Sequence, residues 1–414
     1  MKKQVRKRFL RLGVVAAFLL LAFPAQALAD SFSFTGEAFG SRAKVASVVS
    51  SGPSALAAIA CSAQGGVVSS NTAAGINVSL VGSTGTISDK VSTAQNGASR
   101  STSAESTVQS VSLLGSAPNR LITADAVTAA GSTTWNGSSF SFTNTSSFLN
   151  LIVAGRSITG YVGPNTRITL ARIGYVVLNE QSQLIAGINA RQTINAIHVV
   201  VTQTNVLGLA VGTDIIVGHV ITGLAGPLVA RVGGWAYGTF AAVDVNGSSA
   251  VLSGPSFSAA APCTSGTATN TAASIDLRGI GSTGTISDTA TTTLTSSSST
   301  VQTASRVQNV TLLRGFIKAT VLDVGALASR DGVNTTFADS GSISGLVVYG
   351  RPISVTGSAT INVIGVGKLF VHRVVRLANM IEVRGLELLV NQPNVFGLAV
   401  GTSVRVAVAS GSIL

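Results

Sequence analysis

Three histidines, two cysteines and a thin scatter of carboxylates are the groups with which this chain would have to do chemistry. His198 and His219 flank the block Asn205-Val206-Leu207-Gly208-Leu209-Ala210-Val211-Gly212-Thr213, inside Val-rich runs that read as the two strands of a hairpin. A metal held across that hairpin would need more ligands, and there is no HExxH, no Cys-His cluster and no adjacent carboxylate set. His198 and His219 are therefore expected to be strand histidines with satisfied hydrogen bonds; Glu387 falls opposite His198 in the second half of the chain. Asp89 and Asp288 each end the octapeptide Gly-Ser-Thr-Gly-Thr-Ile-Ser-Asp. Glycoside hydrolysis needs two carboxylates flanking one bond, and a single Asp beside a Gly-rich turn suits a turn-capping role better. The Gly-x-x-Gly of that octapeptide lacks the Lys and the following helix of a phosphate loop. Acids are too sparse to crowd oxygen ligands around calcium. No G-x-S-x-G elbow singles out a nucleophile among the many serines. Arg156 and Arg351 occupy paired positions and read either as ligand contacts or as structural arginines. Sequence alone thus assigns no catalytic residue, no cofactor and no metal.

The elements that hold these residues repeat. Ser51-Gly52-Pro53-Ser54 with Cys61 returns as Ser253-Gly254-Pro255-Ser256 with Cys263. Gly82 to Asp89 recurs unchanged as Gly281 to Asp288, Leu113-Leu114 as Leu312-Leu313, and Gly155-Arg156 as Gly350-Arg351. Asn205 to Thr213 matches Asn394 to Thr402 with Phe396 for Leu207. Blocks in one order imply two copies of a unit of about 190 residues, and insertions such as the one near Ser116–Asn119 belong in surface loops. The expected division is a signal peptide over 1–29, a first unit over 30–221, a linker over 222–233 and a second unit over 234–414.

Within each copy the period is two. Ile76, Val78 and Leu80 alternate with Asn77 and Ser79, and Ile361 and Val363 alternate likewise. Val, Ile and Thr suit a pleated, half-buried surface. The expected fold is all-β, two tandem homologous β-sandwich-like units. Only Asn179 to Ile194 reads as a helical turn or two. The Ser/Thr-rich tracts Ser92–Thr107 and Thr289–Thr303 read as a polar strand face or solvated loop, with a glycosylated or adhesive tract as the alternative. Gly208 and Gly212 are expected to permit a tight strand connection.

The first thirty residues read as an export signal: basic to Arg11, apolar from Leu12 to Phe23, broken by Pro24, with Ala27 and Ala29 placing cleavage between Ala29 and Asp30. The apolar run is too short for a comfortable span, and no transmembrane anchor is expected after cleavage. The net charge of +12 is largely that segment; beyond it 21 basic residues face 15 acidic ones, too dilute a balance for nucleic acid. An exported chain with two cysteines invites a Cys61–Cys263 disulfide. Equivalent points on two domains meet only if the domains pack about an approximate two-fold axis passing near both. The expectation is two buried thiols.

Leu151-Ile152-Val153-Ala154-Gly155-Arg156, Pro164-Asn165-Thr166, Ile173 to Gln181, Ile194 to Val201 and Gly212 to Val217 form a series that resembles the choice-of-anchor P family of bacterial exported proteins. The resemblance covers most of the first copy and implies location rather than an activity; the C-terminal anchor that names the family is not seen here. The function expected is an exported, non-enzymatic β-repeat protein, a cell-envelope, matrix or adhesion component whose partner is a cell-wall or extracellular glycan or protein. The alternatives are a carbohydrate-binding module and a secreted hydrolase using Asp89 or Asp288. Against sugar binding, Trp135 and Trp235 do not occupy matching positions and offer no stacking platform.

Overall fold

The structure is a computed structural model describing residues 32–413, apart from 46–47, 52, 74, 79–80, 116–118, 227–231, 246–247, 257, 273, 278 and 296. The expected cleavage pair, Ala29 and Asp30, lies outside the described residues, as do 116–118 of the expected insertion.

The chain forms two sandwich-like units, each made of a seven-stranded and a nine-stranded sheet. In the first unit the smaller sheet runs Thr166–Leu170, Gly174–Ala186, Asn189–Val201, Asp214–Ala225, Ser33–Val45, and the last of these carries both Val48–Ser51 and Ala57–Ser62 on its far side. The larger sheet centres on Ser99–Leu113 and Ile122–Trp135, with Ile87–Asn96 and then Val68–Ala73 to one side and Phe140–Leu149 to the other. The second unit repeats this strand for strand. Val232–Val245 lies against Thr402–Ile413 as Ser33–Val45 lies against Asp214–Ala225. The octapeptides occupy equivalent places: Asp89 sits between Asn71 and Ser106 in the register, and Asp288 between Asn270 and Ser305.

Side-chain alternation explains the strands. Ile87 and Val91 are fully buried while Ser88 and Lys90 are exposed. The Ser/Thr tracts are not loops but strand hairpins, and their inward face is small and hydroxylated: Thr102, Ser106, Thr303 and Ser305 have no exposure at all. Small inward residues let the two sheets of a unit come close. A Cβ at Gly238 would lie 2.6 Å from Ile286 Cδ1, and one at Gly40 would collide with Ile87 in the same way.

Three expectations change. The helical turn expected over Asn179 to Ile194 is instead the hairpin of Gly174–Ala186 and Asn189–Val201, closed by Gly187-Ile188; helix formers such as Glu180, Gln181 and Leu184 are overruled because both strands pair with neighbours along their length. The expected linker 222–233 loses both ends, since Asp214–Ala225 and Val232–Val245 extend into it. Thr222 is buried, and its hydroxyl lies 2.7 Å from that of Thr133. Lastly, Cys61 and Cys263 are not two separate thiols. Their Cα atoms are 4.9 Å apart and the side chains form a disulfide, a Cα separation within the range such bonds require. The reason is the packing of the units. Ala57–Ser62 touches Ala259–Ala260, Val48–Ser51 touches Gly266–Ala272, and the equivalent of that pair, Ser248–Ser256 with Val68–Ala73, touches in return. Such reciprocal contacts belong to an approximate two-fold axis, and it passes beside the cysteines.

One irregularity sets up the site. Along one line across the smaller sheet of the first unit, the register skips Asn179, Ala196 and Gly218, with φ of 51° at Asn179 and 68° at Gly218. The second unit skips His372, Gly385 and Ala407 along the same line. The pairs resume in the same register on either side, so no strand gains a residue; the pleat is interrupted on neighbouring strands at once. The interruption brings residues three apart in sequence, such as Asn195 and His198, onto one face.

Candidate functional site

On that face, four strands contribute to a polar cluster. His198 lies between two carboxylates: Nδ1 is 2.8 Å from Glu180 Oε2 and Nε2 is 2.7 Å from Asp214 Oδ2. Arg42 approaches Asp214 at 3.4 Å. Asn195 donates its Nδ2 to Glu180 Oε2 and accepts the Nδ1–H of His219 on its Oδ1. His219 stacks on Phe39, ring centroids 4.2 Å apart, and Leu56 closes over Phe39.

The two histidines have opposite electrostatics. Burial acts to lower the His198 pKa, but hydrogen bonds to Asp214 and Glu180, together with their charges, overcome it and raise it to about 9. His198 is an imidazolium at neutral pH. The His198 hydrogen bond holds the Glu180 carboxyl below its ordinary range, against its own burial. Burial likewise acts to raise Asp214, and the hydrogen bond and charge of His198, with Arg42, bring it below its ordinary value. His219 is driven down to about 3, first by burial and then by the positive charges of Arg42, Arg191 and His198, so it stays neutral. A general base needs a ring nitrogen free to take a proton. Both nitrogens of His198 face carboxylates, so this cluster fixes charge rather than moving protons.

The second unit inverts the polarity. Glu387 takes the place of His198, opposite Arg405 where His198 is opposite Ile216. Its carboxylate accepts from Arg373 Nη1 at 2.6 Å and from Arg384 Nη1 at 2.7 Å. Arg384 also donates Nε to Glu382 at 2.6 Å. Burial acts against the Glu387 charge, but Arg384 and Arg373 hold its pKa below the ordinary carboxylate range. A cation between anions in one copy has become an anion among cations in the other. Both arrangements tie neighbouring strands across the outer face of a sheet.

The remaining candidates are dispersed. Asp89 and Asp288 are 1% and 0% exposed, and no oxygen of either carboxyl has a hydrogen-bond partner of good geometry. They are not turn caps but buried acids. Burial pushes Asp89 up to about 8 and Asp288 well above its usual value; the neighbouring Ser106 and Ser305 hydroxyls only temper the rise. Those hydroxyls donate instead to the Phe39 and Tyr237 carbonyls. His372 stands apart, its ring packed where a Gly341 Cβ would be and 3.9 Å from Asp339. Arg156 and Arg351 are exposed beside two-residue hairpin turns. Gly208 and Gly212 take φ of 72° and 85° in the loop that joins Asn189–Val201 to Asp214–Ala225. Trp135 packs on Phe140 and Phe32, whereas Trp235 meets Tyr237. Sequence reasoning missed Glu180, Asp214 and Arg42 as partners of His198. They are 18, 16 and 156 positions from it, and only the strand register brings them together. Among the described residues no group of three His, Cys, Asp or Glu side chains is arranged to hold a metal ion, and no helix is long and apolar enough to cross a membrane. Compared with protein-family models and with curated proteins, the chain matches none.

Proposed function

We propose that the protein is an exported, non-enzymatic β-repeat component of the cell envelope, extracellular matrix or adhesive surface, in keeping with its resemblance to the choice-of-anchor P family. The observation that carries this reading is the disulfide, which uses both cysteines of the chain. Such bonds form and persist in oxidising compartments outside the cytosol, where the N-terminal signal would deliver the chain. The ionic clusters support the non-enzymatic part, because their charges are spent on one another. Hydrolysis by Asp89 or Asp288 would need a carboxyl open to substrate, and both lie inside the sandwich. The test is mass spectrometry of the culture supernatant. The reading expects a mature N-terminus at Asp30 and no free thiol. Full-length chain confined to the membrane fraction, with both thiols free, overturns it.

A further inference from the structure

The two copies also differ at one end of the second unit. Four segments meet there: 313–318, 346–353, 363–368 and 391–402. Tyr349 N donates to Phe316 O at 2.8 Å, Tyr349 Oη to Ile364 O at 2.5 Å, and Asn391 N to Val366 O at 3.1 Å. The Phe316 ring meets Tyr349 edge-on at 5.4 Å and Phe396 at 5.2 Å. In the first copy the hydrogen bond from Ala154 N to Leu121 O, 2.7 Å, replaces that between Tyr349 and Phe316. Three positions have therefore changed together, with Leu121, Ala154 and Leu207 of the first copy standing where Phe316, Tyr349 and Phe396 stand in the second. Tyr349 does so at φ 51°, and Arg314 holds φ 55° where the first copy has Gly115. Bulky side chains rarely adopt that backbone conformation.

The cluster is open to solvent. Phe316 is 42% exposed, and the aliphatic loop tips Ile364 and Val395 are 82% and 87% exposed. The loop bearing Val395 is built rigidly, since Asn394 Oδ1 accepts from both Phe396 N and Leu398 N at 3.1 Å. The four segments contain Arg314, Lys318, Arg351 and Lys368 and no Asp or Glu. Lys318 folds back on the turn, its Nζ 3.7 Å from where a Gly315 Cβ would be. Protruding aliphatic side chains, aromatic rings behind them and an unopposed basic collar match, layer by layer, the acyl region, the headgroup zone and the anionic surface of a bilayer.

We propose that this end of the second unit docks on an anionic lipid surface. Ile364 and Val395 enter the apolar layer, the three rings sit at headgroup depth, and Arg314, Lys318 and Arg351 face the phosphates. A hydrated acidic glycan would satisfy the cations but leave the aliphatic tips in water, so lipid is the occupant that uses every part of the patch. The inference does not depend on export.

The experiment is co-sedimentation of the purified full chain with vesicles of phosphatidylcholine alone or with about a third phosphatidylglycerol. The chain should pellet with the anionic vesicles only, and less so at high salt, losing about fivefold in affinity for each basic residue removed. The exposed-site double variant I364E/V395E should stay in the supernatant. A second variant carries the residues of the first copy (R314G, F316L, Y349A, F396L), which the same backbone accommodates, and should lose binding while still unfolding cooperatively with the wild-type circular dichroism spectrum. Wild-type protein that stays in the supernatant overturns the proposal. So does I364E/V395E pelleting as the wild type does, and so does binding to a soluble anionic polysaccharide but not to vesicles.

Discussion

His198 and Asp89 titrate in opposite surroundings yet bias stability in the same direction. The His198 pKa is raised from about 6.5 unfolded to about 9 folded, so its contribution is full below pH 6.5 and lost as pH rises through 9. H198Q should therefore be less stable than wild type at pH 6, on the order of 2 kcal/mol, with the gap closing by pH 10. Urea melts at the two pH values check this; a gap that widens with pH contradicts the ion cluster. Asp89 differs in window and in remedy. Folded, it binds its proton up to about pH 8; unfolded, it releases it near pH 4. Stability should decline across that interval, by at most about 1.4 kcal/mol per pH unit. D89N keeps the shape without the charge, and should raise the melting temperature at pH 8 and flatten the slope between pH 4 and 8. An unchanged slope would mean that the carboxyl has a partner or a path to water.

At the scale of strands, the closeness of the sheets rests on residues without side chains. G40A should destabilise the first unit by about 1–3 kcal/mol or more, because the new methyl meets Ile87 across the interface. I87A is itself destabilising, but in that background the added cost of G40A should be smaller, and additive effects in a double-mutant cycle would deny the contact. The strands themselves were legible from alternation: Ile361 and Val363 turn inward between the exposed Thr360 and Asn362, as the period of two expects. The Ser/Thr tracts were half legible, since their polarity suggests solvent while their small size is what lets Thr102 and Ser106 point inward. The line of interrupted pairing was not legible: Gly218 and Gly385 lie on it but are two glycines among 45, and positive φ at His372 and Ala407 leaves no mark in residue type. Without it, Asn195 and His198 fall on opposite faces and the cluster cannot be drawn. The aromatic end of the second unit hid for a similar reason, its rings being 33 and 47 positions apart in the chain and joined only through hydrogen-bonded loops.

For the whole molecule, the duplication was plain in the repeated blocks, while the packing of one copy on the other was not. A repeat shows which positions are equivalent and says nothing about where the axis relating them lies. The disulfide turns that into a measurement. Thiol titration of denatured, unreduced monomer should find none, and C61S/C263S should be less stable by up to about 5 kcal/mol, given the sequence separation of 202. Each unit has its own core, so the variant should lose the coupling between the units while keeping two folded sandwiches. A single, unchanged thermal transition would argue against that coupling.

The same bond governs how the chain would carry tension. Ser33 lies beside Ala225 and Val232 beside Ile413, so the ends of each sandwich emerge side by side from adjacent antiparallel strands. A pull on such neighbours peels them apart one hydrogen bond at a time, the weak direction for a sheet. With Cys61 joined to Cys263, force entering near Ser33 can strip Ser33–Val45 from Asp214–Ala225, but it then passes through the sulfurs to the second unit, and the chain between the two cysteines cannot be drawn out. The intervening residues are removed from the load path, and the oxidised chain should stretch roughly 700 Å less than the reduced one, at about 3.4 Å per residue. In a single-molecule pulling trace that difference in contour length would appear on adding reductant.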